Sequence, residues 1–64
     1  MIRDAIEALP PAQREVVTLR DVEGWSAADV CAALDISAVN QRVLLHRGRM
    51  AIRMMLEGYL DDRG

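Results

Sequence analysis

The residues with the clearest chemistry in this 64-residue chain are basic side chains at regular spacing. Intervals of four, three and four residues separate Arg42, His46, Arg49 and Arg53. An α-helix turns about 100° per residue, so this spacing predicts one continuous basic stripe. The guanidinium fork matches phosphate oxygens and the O6 and N7 edge of guanine. The stripe therefore indicates nucleic-acid binding, with a solvated helix face as the alternative.

The charge of the chain is sorted by position, which favours the binding interpretation. Residues 36–56 contain four arginines, one histidine and no acid. Residues 1–35 contain three arginines and seven acids, and residues 57–64 contain one arginine and three acids. A solvated helix face usually mixes both signs in ion pairs between residues four apart. A basic segment in a chain of formal net charge −2 predicts that a polyanion binds one face only.

The composition predicts one small all-α domain. Hydrophobic residues make up 52% of the chain, but there is no Phe and only one Trp and one Tyr. The core must therefore come from aliphatic side chains, which are compatible with helices. A single cysteine excludes an internal disulfide, and one cysteine with one histidine argues against a structural zinc site. No segment approaches the roughly 20 apolar residues of a membrane span, and no signal peptide is evident.

Two predicted helices open the chain. The first spans residues 2–9 and ends at Pro10, because the residue before a proline is pushed out of the α region. Pro11 can open the second helix, since its missing N–H costs nothing at the first helical position. This helix continues to about Val22. Gly24 then ends it, because glycine readily adopts the left-handed conformation that follows many helices.

The next two predicted helices form a helix-turn-helix. Ser26 is the N-cap candidate of a short third helix that ends near residues 34–35. Ser37 is the N-cap candidate of a long fourth helix, from about residue 38 to about residue 59. Asp35 occupies the turn position that is often glycine, and Asp tolerates left-handed geometry better than most residues. The pattern predicts an all-α fold of four helices with a C-terminal helix-turn-helix, and residues 1–64 form its single domain.

The first turn of the fourth helix is the part that enters the major groove in a helix-turn-helix. Asn40, Gln41 and Arg42 lie there; amide side chains suit adenine and arginine suits guanine. With the basic stripe and its neighbours, the predicted DNA-binding residues are Asn40, Gln41, Arg42, Val43, His46, Arg47, Arg49 and Arg53. No cofactor, metal, membrane or small-molecule substrate is expected. The chain shows no pairing of nucleophile and base and no phosphate-cradling loop, so it is not expected to be an enzyme.

The fourth helix also carries two apolar faces. One is predicted to pack on the core and contains Gln41, Leu44, Leu45, Gly48, Ala51, Ile52, Met55 and Leu56. Glycine costs roughly 1 kcal/mol inside a helix, so another helix is expected to pack closely at Gly48. The second face, the methionine stripe, consists of Val43, Met50 and Met54. An amphipathic helix is normally polar opposite its core, so we expect a partner protein to cover this stripe. The alternative is a different helix rotation that makes these residues core.

Three single residues have two interpretations each. Trp25 is predicted to anchor a partner, because Trp is enriched in interface hot spots, or to pack over the second helix. Cys31 is interpreted as a buried, inert thiol, with redox sensing as the alternative. His46 is interpreted as a neutral polar contact, with a pH switch as the alternative.

Four strings, in order, resemble the C-terminal promoter-recognition domain, region 4, of bacterial sigma factors. Residues 9–16, LPPAQREV, resemble its opening LP..R.V, and residues 19–26, LRDVEGWS, resemble LRDVEGLS. Residues 34–37, LDIS, resemble LGIS. Residues 40–49, NQRVLLHRGR, resemble NQRVLLHRAR, a variant typical of the extracytoplasmic-function group. The resemblance covers about residues 3–57.

The resemblance implies a fragment of a longer sigma factor that acts in the cytoplasm, without the polymerase-clamp and −10-reading domain. It implies binding to the −35 promoter element, to the β flap of RNA polymerase, and to an anti-sigma factor that sequesters the protein. It assigns DNA recognition to Asn40, Arg42, Val43, His46 and Arg47, with Arg49 towards phosphate. Gln41 occupies a position where many relatives have a buried valine.

Two other functions compete with promoter recognition. One is a protein-interaction module whose helices chiefly dock on polymerase or an inhibitor. The other is the effector helix-turn-helix domain of a response-regulator-type transcription factor. The opening at residues 9–11 and the string at residues 40–49 disfavour the latter.

Overall fold

The computed structural model describes the backbone of residues 2–61 and the side chains of residues 2–58. This described part contains four α-helices: α1 (Ile2–Glu7), α2 (Pro11–Val17), α3 (Ala27–Leu34) and α4 (Ala38–Asp61). A π-helical segment, Thr18–Val22, continues α2. Residues 2–61 contain no strand, so the predicted all-α class is confirmed. Residues 1 and 62–64, which the predicted domain includes, lie outside the described part.

The junction between α1 and α2 follows from its two prolines. Pro10 has φ −54° and ψ 149°, an extended conformation that turns the chain between the helices. Pro11 is the first residue of α2, as predicted. The Pro10 carbonyl accepts a hydrogen bond from the backbone N–H of Arg14 at 2.9 Å. α1 ends at Glu7, two residues before the predicted end at residue 9, so residues 8–10 form the junction and Pro11 begins α2.

The end of the second helical region departs from the sequence prediction. A regular α-helix to about Val22 was expected, but the last five residues form the π-helical segment. The backbone N–H of Glu23 bonds to the carbonyl of Thr18 at 3.0 Å, five residues back. Apolar periodicity cannot reveal one wider turn, because both helix types keep the same face inward over so few residues. The predicted stop at Gly24 is confirmed by its φ of 76°.

Local capping signals define the helix-turn-helix. The Ser26 hydroxyl accepts a hydrogen bond from the backbone N–H of Asp29 at 3.1 Å and caps α3. The Ser37 hydroxyl accepts one from the backbone N–H of Asn40 at 3.0 Å and caps α4. Asp35 lies between them in the left-handed conformation, with φ 55° and ψ 51°. Both predicted N-caps and the predicted turn geometry are confirmed.

Replacement of Asp35 by glycine is expected to leave stability unchanged or to raise it by up to about 1 kcal/mol. Glycine adopts positive φ without the steric cost of a side chain, but it gains entropy in the unfolded state. Asp35→Ala should instead destabilise by about 1 kcal/mol, because alanine has a Cβ and no polar side chain to offset left-handed strain. Urea denaturation of both variants measures the difference. A clear loss of stability in Asp35→Gly would show that the carboxylate makes an important contact.

The core lies where α4 crosses the other helices, and α4 packs most extensively on α2. Its buried apolar members are Ala5, Leu9, Val16, Val17, Val30, Leu45 and Ile52. Gly48 is buried in α4, and a Cβ placed on it would lie 2.6 Å from Cγ2 of Val17. The predicted close helix approach at this glycine is therefore confirmed. Met55, predicted to be core, is instead 37% exposed, whereas the neighbouring Leu56 packs against the core.

Candidate nucleic-acid interface

The outer face of α4 presents most of the side chains that the sequence assigns to DNA. The Ser37 cap fixes the start of the helix, and the first turn at residues 38–40 is exposed. Seven of the eight predicted DNA-binding residues are exposed: Asn40, Arg42, Val43, His46, Arg47, Arg49 and Arg53. The first turn contains no acidic residue. An open helix N-terminus followed by a basic face is the arrangement that phosphate and base contacts require.

Gln41 is the exception among the predicted DNA contacts. Only 4% of this residue is exposed, and its Oε1 atom has no hydrogen-bond partner among the described residues. The helical period places it on the same face as Leu45 and Gly48, towards the core. The assignment of Gln41 to DNA binding is therefore wrong, whereas its placement on the core face is confirmed. A buried amide cannot reach a base edge without repacking the domain.

Arg49 pairs with an acid from a different part of the fold. Its Nε donates to Oδ2 of Asp21 at 2.9 Å, and its Nη2 donates to Oδ1 of the same carboxylate. Asp21 lies in the π-helical segment, 28 residues earlier in the chain. The sequence has no acid beside Arg49 on α4 itself, so its partner comes from the π-helical segment instead. The guanidinium fork is therefore already occupied on the side that faces Asp21.

The ion pair changes the proton affinity of both groups. The hydrogen bonds from Arg49 lower the pKa of Asp21 below its ordinary value of 3.8; partial burial opposes this shift, and the charges of Arg49 and Arg20 add to it. The same hydrogen bonds raise the pKa of Arg49. Both groups are therefore charged at neutral pH, and the pair persists across the physiological range.

The Asp21–Arg49 pair predicts a small acid-dependent loss of stability. Because the pKa of Asp21 is lower in the folded chain, the carboxylate stabilises the fold above pH 3.8, and this stabilisation is lost as pH falls through the folded pKa. Exposed pairs contribute about 0.2–1 kcal/mol. Asp21→Asn should be less stable than wild type by about this amount at pH 7, and the difference should shrink in acid. Urea denaturation at pH 7 and at a pH below 3.8 measures the stability difference between the two proteins. A difference that is the same at both pH values would contradict a stabilising role of the Asp21 carboxylate.

The other basic residues of α4 differ in their surroundings. Arg53 lies 3.6 Å from Glu57, one turn further along, with both side chains largely exposed. This acid follows directly after the acid-free residues 36–56, so Arg53 has an acidic neighbour on its own helix. Within the described residues, no ion pair involves Arg42, His46 or Arg47. The basic charge available to a ligand is therefore concentrated in the first half of α4.

The methionine stripe is exposed, as the sequence predicts. Val43 is 38% exposed, Met50 42% and Met54 66%. The alternative helix rotation, which would have made these residues core, is therefore excluded. Val39 extends the apolar surface at the helix start and is 66% exposed. The stripe and the basic residues lie on neighbouring parts of one helix, so one ligand can cover both.

Residues 1–52 match the family model described as Sigma-70, region 4. The chain belongs to this family. It is 42% identical over 53 residues to the RNA polymerase sigma factor CarQ of Myxococcus xanthus. This match covers 83% of the chain and 30% of that protein. It is 40% identical over 57 residues to an RNA polymerase sigma-E factor of Streptomyces antibioticus, covering 89% of the chain and 32% of that protein.

A third relative places the region 4 domain with the extracytoplasmic-function group. The chain is 36% identical over 61 residues to the ECF RNA polymerase sigma factor SigE of Mycolicibacterium smegmatis, covering 95% of the chain and 24% of that protein. The resemblance noted in the sequence is therefore confirmed, and it replaces the response-regulator alternative. The chain spans about a third or less of the length of these relatives.

Trp25 and Cys31 are both only partly covered in the region 4 domain. Trp25 is 38% exposed. Its carbonyl accepts a hydrogen bond from Nη1 of Arg20 at 2.8 Å, and its N–H donates to Leu19 at 2.9 Å. Its backbone is therefore fixed to the π-helical segment while part of its ring faces solvent. Cys31, expected to be buried, is only half-buried.

The described part of the region 4 domain shows neither a metal-binding cluster nor a membrane-spanning helix. No group of three or more His, Cys, Asp or Glu side chains in it could hold a metal ion. None of its helices has the length and apolar character needed to cross a membrane.

Proposed function

We propose that residues 1–64 form one helix-turn-helix domain of a longer sigma factor and recognise the −35 promoter element through α4. The observation that carries this proposal is the exposed first half of α4, where Arg42, His46 and Arg47 form no ion pair within the described residues. Family membership supports the same function. The chain acts by binding DNA and protein in the cytoplasm rather than by catalysis.

The position of each exposed residue along α4 determines whether it contacts base edges or phosphate. Asn40 and Arg42 are near the helix start, where side chains reach base edges in the major groove. Arg47 lies further along and is suited to a guanine contact, and Val43 offers an apolar contact for a thymine methyl group. His46 adds a polar contact. Arg53 lies farther from the helix start and is placed towards phosphate, which supplies affinity and register rather than specificity.

Two protein partners complete the proposal. The domain docks on the β flap of RNA polymerase, which brings α4 to the −35 element. An anti-sigma factor covers the methionine stripe of Val43, Met50 and Met54 with a helical segment, because methionine adapts to the contours of a partner. Trp25 provides a further anchor, with its ring partly exposed. Inhibition then follows from steric competition between DNA and inhibitor for α4.

The promoter assignment is tested with the full-length sigma factor and core polymerase. Transcription is measured from a promoter that the factor uses and from the same promoter with a scrambled −35 element. We expect transcription to depend on the −35 element, and the dependence to weaken when α4 carries Arg42→Ala, because one of the proposed base contacts is then lost. Equal transcription from both templates by the wild-type protein would contradict the proposal.

The methionine stripe gives a separate prediction about the inhibitor. Met50→Ser with Met54→Ser should weaken binding of an anti-sigma factor that inhibits the full-length protein by about 2–4 kcal/mol, because two buried apolar contacts are lost. Val22→Ser is the matched control, since Val22 is 64% exposed but lies on the π-helical segment. Titration calorimetry measures both affinities. Unchanged inhibitor affinity in the double variant would show that the stripe stays uncovered in the complex.

A further inference from the structure

Arg49 belongs to the basic stripe by position, yet its guanidinium is held by a carboxylate of the domain itself. We propose that Asp21 is a positioning residue that withholds Arg49 from DNA phosphate and uses it to fix α4 against the π-helical segment. The inference rests on the proposed DNA-binding function, and it removes from the DNA-contact set an arginine that the sequence assigns to phosphate. Arg42, His46 and Arg47 then remain as the basic contacts in the first half of α4.

The geometry of the pair supports this role. Two donors of the fork, Nε and Nη2, point to the two oxygens of one carboxylate. A DNA phosphate would use the same fork, so it must displace Asp21 to bind in that geometry. The charge of Arg49 is also neutralised locally, which lowers its attraction for the DNA backbone. By contrast, Arg53 is paired only at 3.6 Å with an acid on its own helix, and its fork is not held by two bonds.

The pair also borders an apolar surface of the domain. Asp21 and Arg49 line an apolar cleft of about 540 Å³ together with Ile2, Ile6, Val17, Val22 and Ile52. Both side chains remain partly exposed, 53% for Arg49 and 34% for Asp21, so the two-point hydrogen bonding holds the pair rather than burial. The π-helical segment contributes to the same geometry. The segment carries Asp21 and follows Val17, whose Cγ2 would lie 2.6 Å from a Cβ placed on Gly48 of α4.

The salt dependence of DNA binding distinguishes a withheld arginine from a bound one. Each phosphate contact steepens the plot of log affinity against log salt concentration by about 0.9. Arg49→Gln should therefore leave the slope of the wild-type chain unchanged. Asp21→Asn frees Arg49 and should steepen the slope by about 0.9. The double variant Asp21→Asn, Arg49→Gln should return to the wild-type slope. A merely structural pair would not produce this gain and its reversal.

The measurement uses fluorescence anisotropy of the 64-residue chain with a duplex of random sequence, from about 50 to about 200 mM salt. Glu23→Gln is the matched control, because it removes the same charge from an exposed residue two positions away. An unchanged slope in Asp21→Asn, or an equal increase in Glu23→Gln, would overturn the proposal. So would a slope flattened by about 0.9 in Arg49→Gln, which would show that Arg49 already contacts phosphate.

One fallback variant and one parallel binding measurement complete the experiment. If Asp21→Asn does not fold, the slope of Arg49→Gln alone decides, since this variant keeps every acid of the domain. Preference for a −35 duplex over the random duplex is measured in parallel with the wild-type chain. If the wild-type chain shows no such preference but the three variants give the expected salt slopes, the result counts against the proposed function and not against the role of Asp21. If the wild-type chain prefers the −35 duplex but Asp21→Asn leaves the salt slope unchanged, the result counts against the role of Asp21 alone.

Discussion

Replacement of both Arg42 and Arg47 by alanine is expected to abolish the preference of the sigma factor for its −35 element. Each arginine that reads a guanine contributes about 1–3 kcal/mol of discrimination, so the pair should cost about 2–6 kcal/mol. Both side chains are exposed on α4, and no ion pair within the described residues engages either one. The expected loss therefore reflects missing DNA contacts rather than a disturbed fold.

The measurement compares affinity for an intact promoter with affinity for the same promoter carrying a scrambled −35 element. It uses the full-length factor with core polymerase, because the ratio then cancels changes in polymerase docking. The double variant Arg3→Ala, Arg14→Ala is the matched control: it removes the same charge from exposed residues outside α4. We expect the control to keep the ratio. An unchanged ratio in the Arg42→Ala, Arg47→Ala variant would contradict the assignment.

Replacement of Gly48 by alanine is expected to destabilise the domain by about 1–3 kcal/mol, although alanine is the better helix former. The new methyl group would lie 2.6 Å from Cγ2 of Val17. Val17 is only 1% exposed, and a β-branched side chain in a helix has one strongly preferred rotamer. The valine therefore cannot move aside without disturbing the contact between α2 and α4. The overpacking cost outweighs the gain in helix propensity, which is about 1 kcal/mol.

Gly58 provides the control for this effect. It lies in the same helix, and a Cβ placed on it would meet nothing within 4 Å. Gly58→Ala should therefore be neutral or stabilise by up to about 1 kcal/mol through helix propensity alone. Urea denaturation of the two variants separates propensity from packing. Equal stability changes in both variants would show that α2 and α4 can separate at Gly48 at little cost.

The sequence predicted those parts of the fold that depend on near neighbours. Pro11 at a helix start, the caps at Ser26 and Ser37, and the left-handed Asp35 each follow from preferences within about four residues. Gly48 was also predictable, because a glycine that weakens a helix indicates close packing. The exposed methionine stripe followed from helical period alone. These features explain why the helix-turn-helix could be located without coordinates.

The features that sequence reasoning missed depend on distant contacts or on small changes of helix rotation. The pair between Asp21 and Arg49 joins residues 28 positions apart, and no periodicity within one helix contains that information. The π-helical segment adds one wider turn without altering the apolar pattern. Gln41 lies on the apolar face of α4 but has an amide side chain that suits base recognition, and its burial shows that the core position prevails. In each case, tertiary packing selected one of several locally acceptable arrangements.

The most direct test of the central claim is to map which backbone amides of the labelled chain respond when a −35 duplex is added. We expect nuclear magnetic resonance spectra to change at residues 38–47, in the exposed first half of α4, and to remain unchanged at residues 2–7 of α1. A duplex with a scrambled −35 element should produce smaller changes at the same positions. Changes confined to α1 and α2, or equal changes with both duplexes, would contradict the account that α4 reads promoter DNA.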